Sequence, residues 1–241
     1  MKDEVMRHYA FLVTIASIAI IISLWVAFNQ PPATAAVPGI ELGAPLTGQN
    51  AFEFVGRADQ SGSNFVGYGY MTSVYGLTQT LVFTNPVVNS EASAHLTYYG
   101  TSTLSAESII SNVFILDSVG TVVYYYNYTP TATFADPHSF ATGIPILTET
   151  VHYQDIWNVQ TPNVGIATGN FEVMQTALTP FTINGQTYHI GRVGLTGRGF
   201  SAGEATRTNP ITPILFVVHS GYEMVTGIPG QVVFIPTVQL N

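Results

Sequence analysis

The chain has 241 residues, of which 46% are hydrophobic and only 8% charged, with 6 Lys or Arg against 14 Asp or Glu and a net charge of −8. So apolar a chain is not a disordered one, and without a basic stripe to displace counterions from phosphates it is not a nucleic-acid binder. The absence of cysteine removes disulfides, thiolate metal sites, a cysteine nucleophile and a lipobox anchor, and with Lys2 as the only lysine there is no lysine base beyond the N-terminus.

Residues 10–28 form an uncharged apolar run that a helix would stretch across most of a ~30 Å hydrocarbon core. Lys2 and Arg7 precede it and the next basic residue is Arg57, so the positive-inside rule places the N-terminus in the cytoplasm and the rest outside. Two fates are open for this segment. It is either a retained single-pass anchor (1–28) or a signal peptide cleaved after Ala35, since Ala33-Thr34-Ala35 fits a small-x-small processing site. The protein is then either membrane-tethered with its domain outside, or secreted or periplasmic.

Residues 29–49 are rich in Pro, Ala and Gly and read as a linker to a domain over 50–241. From Ala51 the periodicity is that of strands: Phe52, Phe54 and Ala58 alternate with Glu53, Val55 and Arg57, and Ala92, Ala94, Leu96 and Tyr98 with Ser93, His95, Thr97 and Tyr99. Ala106 to Ile110 is the best candidate for a helical turn. Asp117 to Gly120 reads as the turn of a hairpin between 113–116 and 121–128. Asn184-Gly185 suits a type I′ turn.

Ten to twelve short strands without helical alternation predict an all-β fold, an antiparallel barrel or, as runner-up, a two-sheet sandwich. Residues 65–71 favour the barrel: glycines alternate with aromatics, and strand glycines permit tight coiling or let a neighbouring side chain lie across them. This pattern resembles that of lipocalin-like or allene-oxide-cyclase-like barrels.

The strand over 147–159 carries the most unusual polarity. In a regular strand, Glu149 and Asp155 share a face with Leu147, Val151, Tyr153, Trp157 and Val159. Carboxylates there cost several kcal/mol unless paired. In a barrel interior they are candidate acid/base groups, with Trp157 and Tyr153 as candidate ligand contacts. The other reading is a structural ion pair or a bulge.

Arg192, Arg198 and Arg207 form a second set, able either to line an anion site or to pair with carboxylates. Residues 199–203 match G-x-S-x-G, but the strand–turn–helix context of a nucleophile elbow is missing. The five later histidines are scattered without metal-ligand spacing, so no metal and no cofactor is expected. Tyr124, Tyr125, Tyr126 and Tyr128 suit either an outer contact surface or the rim of a core.

Two functions follow. The first is a non-catalytic, membrane-tethered or secreted β domain that binds a protein partner or its own copies in an extracytoplasmic assembly. The alternative is a barrel that binds, and even transforms, a small apolar ligand.

Overall fold

The computed structural model describes residues 37–209 and 214–227, with the backbone alone for 207–209 and 214–218. The apolar segment 10–28 and the cleavage motif at 33–35 lie outside the described residues. Among those described, no helix is long and apolar enough to cross a membrane.

The described chain is mostly strand. In order it forms β1 (Ile40–Leu42), β2 (Asn50–Ser61), β3 (Asn64–Val74), one helical turn α1 (Gln79–Val82), β4 (Leu96–Ile110), β5 (Val113–Tyr126), a 3-10 turn (Pro137–Ala141), β6 (Ile144–Thr161), β7 (Val164–Leu178), β8 (Phe181–Ile183), β9 (Gln186–Ile190), β10 (Thr196–Asn209) and β11 (Ile214–Gly227). Eight of these, β2 to β7 with β10 and β11, pair antiparallel with their neighbours, and β11 returns to β2. The sheet therefore closes on itself, in place of two facing sheets. β8 and β9 leave the meander between β7 and β10 and join β1 in a separate three-stranded sheet, with β1 parallel to β9.

The period of two decides what enters the barrel. Along β6, Leu147, Glu149, Val151 and Trp157 are buried while Thr150, His152, Gln154 and Ile156 are exposed. Glycines on the inward face make room for rings from adjacent strands. A methyl group on Gly56 or Gly69 would collide with the Tyr98 hydroxyl, and one on Gly199 would enter the Phe171 ring.

The barrel end where β2 begins and β11 finishes is packed solid. Leu42, Phe181, Ile183 and Ile190 of the small sheet join Phe52, Met71, Leu96, Tyr126, Ile146 and Leu147 in one buried cluster. Gln175 ties the two sheets, its amide donating to the Ile190 carbonyl at 2.8 Å. Outside the wall, Tyr68 and Tyr70 of β3 are covered by Val82, Phe83, Ala94, Ala132 and Phe140 from the two long connections.

Several sequence expectations need correction. Residues 106–110 are the end of β4, not a helical turn. Residues 117–120 run straight through β5, and the actual reversal is at Ser111, which adopts φ 57°. Ser118 and Gly120 are there for the interior: Ser118 meets Ser102 at 3.1 Å, and Gly120 sits against Ser102. Strand β4 starts at Leu96, four residues later than expected, because Ser93 is held by backbone contacts to Val88 and Ser90. Ile40–Leu42, inside the stretch read as linker, forms β1 and buries Leu42.

Candidate functional site

An eight-stranded barrel has an interior just wide enough to be filled by side chains or to hold one small ligand. Here it is not filled. A cavity of about 80 Å³ lies mid-barrel, lined by Tyr98, Tyr153, Asp155, Trp157, Ser201 and His219 among others. A second space of about 40 Å³ shares Tyr98, Tyr153, Ser201 and His219 and extends toward Phe54, Tyr124 and Phe171. Gly67 forms part of the wall, and a Cβ there would meet nothing within 4 Å.

Toward the hairpin end, an open recess of about 390 Å³ is bounded by Phe114, Leu116, Pro162 and Asn163, and it shares Gln60 and Trp157 with the cavity. Trp157 packs edge-on against Phe65, ring centroids 6.2 Å apart, and so stands between recess and cavity.

Two of the cavity's polar atoms are buried with no hydrogen-bond partner among the described residues: the Tyr98 hydroxyl and Nδ1 of His219. Such groups normally find partners, and leaving one bare costs about 1–3 kcal/mol. Burial pushes His219 down to about 4, opposed by a hydrogen bond with the backbone of Arg57, so the imidazole is neutral at ordinary pH. Burial pushes Asp155 up to about 7, with the nearby Asp117 charge adding to it.

Deeper in, Glu149 and Glu223 are buried. The Tyr124 hydroxyl donates to Oε2 of Glu149 at 3.0 Å. Burial raises Glu149 to about 7, with that hydrogen bond pulling the other way. Burial also raises Glu223 well above the ordinary carboxylate range, and the charge of Glu149 adds to the effect. A methyl on Gly197 would lie 2.6 Å from the Glu223 carboxyl, so the glycine leaves that side chain its place.

Of the residues singled out from sequence, Asp155, Trp157 and Tyr153 therefore meet at one cavity, with Glu149 beyond it. Arg192 and Arg198 do not join them. Arg192 makes a bidentate pair with Glu41 at 3.0 and 2.8 Å, and Arg198 pairs with Glu172 on the outer wall, both at exposed sites. The Arg207 side chain lies outside the described residues.

The G-x-S-x-G stretch forms no elbow. It runs as regular β10, with Ser201 opposite Gly169 on β7 and Gly221 on β11. Ser201 and His219 face one cavity, but no hydrogen bond joins them among the described residues, and Nδ1 of His219 is bare. Tyr124 and Tyr126 point inward and are buried, leaving Tyr128 exposed, so this run forms no continuous outer stripe.

Sequence reasoning missed Tyr98, His219 and Glu223. The alternation His219, Gly221, Glu223, Val225 carried the signal, since it sets a histidine and an acid on the same strand face as a small residue and an apolar one. Among the described residues no three His, Asp or Glu gather to hold a metal ion. What the arrangement can do is hold a small molecule against an aromatic wall and exchange a proton with it through Asp155, whose shifted pKa suits acid/base work near neutrality. In comparisons with known proteins the chain matches no family model, no curated protein and no solved structure at a significant level.

Proposed function

We propose that this barrel is a receptor for one small, largely apolar molecule that carries a hydrogen-bonding group. The observation behind this reading is the internal cavity. It is bounded by Trp157, Tyr153 and Gly67 and contains the unpartnered Tyr98 hydroxyl and His219 Nδ1. Ligand sites combine an apolar wall with a few converging polar groups in this way. The molecule enters from the hairpin end past Trp157, because the opposite end is packed shut. Asp155 is positioned to act on it, and Glu149 lies beyond as a proton reserve. The apolar segment 10–28 and the charges before it support a working place outside the cytoplasm, tethered or released.

Native mass spectrometry of gently extracted protein, repeated after denaturation, tests the reading. A small mass should accompany the folded chain and vanish on denaturation. Gly67→Ile, which puts a side chain into open space, should abolish it while the protein still folds. A wild-type chain without bound mass, indifferent to added apolar ligands, would refute it.

One observation favours association as a second reading. Ile156, Ile166, Met174 and Phe200 are exposed on the outward faces of β6, β7 and β10, a wall that the long connections leave uncovered. Multiples of the subunit mass in the same spectra would support it.

A further inference from the structure

The charge balance of the interior narrows the ligand further, on the assumption that the cavity is a receptor site. Asp155 lines the cavity, and Glu149 and Glu223 are buried toward the closed end. No Lys or Arg among the described side chains enters with them. Arg192 and Arg198 are engaged with Glu41 and Glu172 at exposed sites, and Arg57 donates to the Phe134 carbonyl and lies over the Phe134 ring outside the wall. Acids in an apolar enclosure are costly unless protonated or matched by a cation.

The hydrogen-bonding character agrees. The His219 ring is neutral, and because its hydrogen bond with the backbone of Arg57 favours the protonated ring, the ring is the donor there and its one proton sits on the far nitrogen. Nδ1, which has no partner, is then an acceptor. Tyr98 is 8% exposed, and its unpartnered hydroxyl offers lone pairs as well as a proton. Asp155 makes a third acceptor once ionised. A primary ammonium has three N–H donors, no acceptor and a positive charge. The rings of Trp157, Tyr153 and Phe65 line the same space, and aromatic rings attract cations, Trp most strongly.

We propose that the cavity binds a small primary ammonium, with Asp155 as its counter-ion, Nδ1 of His219 and the Tyr98 hydroxyl as further acceptors, and the Trp157 side of the wall around its apolar body. A carboxylate ligand would meet Asp155 in the lining and no Lys or Arg among the described side chains there. A neutral alcohol would leave at least one acceptor bare. The cavity and its 40 Å³ extension have room for roughly four or five non-hydrogen atoms, given the ~30 Å³ that a water takes in the liquid.

Three branched molecules of similar size test this with the full chain: isobutylamine, isobutanol and isobutyrate, titrated at pH 8 by calorimetry. Isobutylamine should bind about tenfold or more tightly than isobutanol, and isobutyrate should not bind. Asp155→Asn, whose folding is checked by its melting temperature, should bring the amine and alcohol affinities together. Isobutanol reports on the cavity alone. If it binds and the amine does no better, or if Asp155→Asn keeps the amine preference, the ammonium assignment fails and the receptor reading stands. If neither binds, both fail.

Discussion

The Tyr124 hydroxyl reaches across from β5 to donate to Glu149 on β6 at 3.0 Å, and the Glu149 charge adds to the upward shift of Glu223 on β11. Glu149 ionises at about 7 in the fold against 4.5 ordinarily. It keeps its proton over a range where the unfolded chain has lost it, so this group's contribution to stability is full below pH 4.5 and is lost as pH rises to about 7. Glu149→Gln keeps an oxygen for Tyr124 and removes the charge. Urea unfolding should show the variant more stable than wild type at pH 8, by on the order of 2–3 kcal/mol, and nearly equal to it at pH 4.

Tyr98 should separate stability from binding. Its hydroxyl is buried and bare, so Tyr98→Phe deletes an unsatisfied group and leaves the ring in place over Gly56 and Gly69. Thermal unfolding should find the variant unchanged or up to about 1 kcal/mol more stable. Ligand titration should find it weaker. A residue retained only for packing would give the first result without the second.

Gly67 and Gly69 stand two apart on one strand face and should respond oppositely to alanine. Gly67→Ala places its methyl in the cavity and should shift stability by less than about 0.5 kcal/mol. Gly69→Ala drives a methyl toward the Val55 carbonyl and the Tyr98 hydroxyl and should cost about 1–3 kcal/mol. Denaturant midpoints of the two variants are the measurement.

Arg192→Ala and Arg198→Ala should leave ligand affinity alone. Both arginines form exposed ion pairs, so each substitution should cost no more than about 1 kcal/mol, and less at high salt. A loss of ligand binding in either variant would show that the site extends to the outer surface.

The interior was readable from sequence where alternation was unbroken. The 147–159 strand showed Glu149 and Asp155 on the face of Tyr153 and Trp157, and the structure keeps that phase. Asn184-Gly185 turned as its residue types required, with φ of 49° and 81°. Reading failed where a barrel uses turn-forming residues for another purpose. Asp117, Ser118 and Gly120 have the composition of a turn, yet Ser118 and Gly120 are wall residues chosen for small size, and no local rule distinguishes the two uses. Ser201 and His219 were equally opaque, since their meeting depends on β10 pairing with β11 in a register that only closure of the sheet sets.

That closure also determines when the protein can become itself. Phe54 sits opposite Gly221, so the seam between β2 and β11 joins two strands from near opposite ends of the described chain. A chain emerging from its N-terminus makes the β2 to β7 hairpins locally and early, then waits with β2 as an uncovered edge until β11 arrives. Such late, distant pairing is slow, and the waiting edge is open to wrong neighbours. The cavity is the last thing made: until β11 delivers His219, Gly221 and Glu223 to the seam, there is a curved sheet with nowhere to keep a ligand.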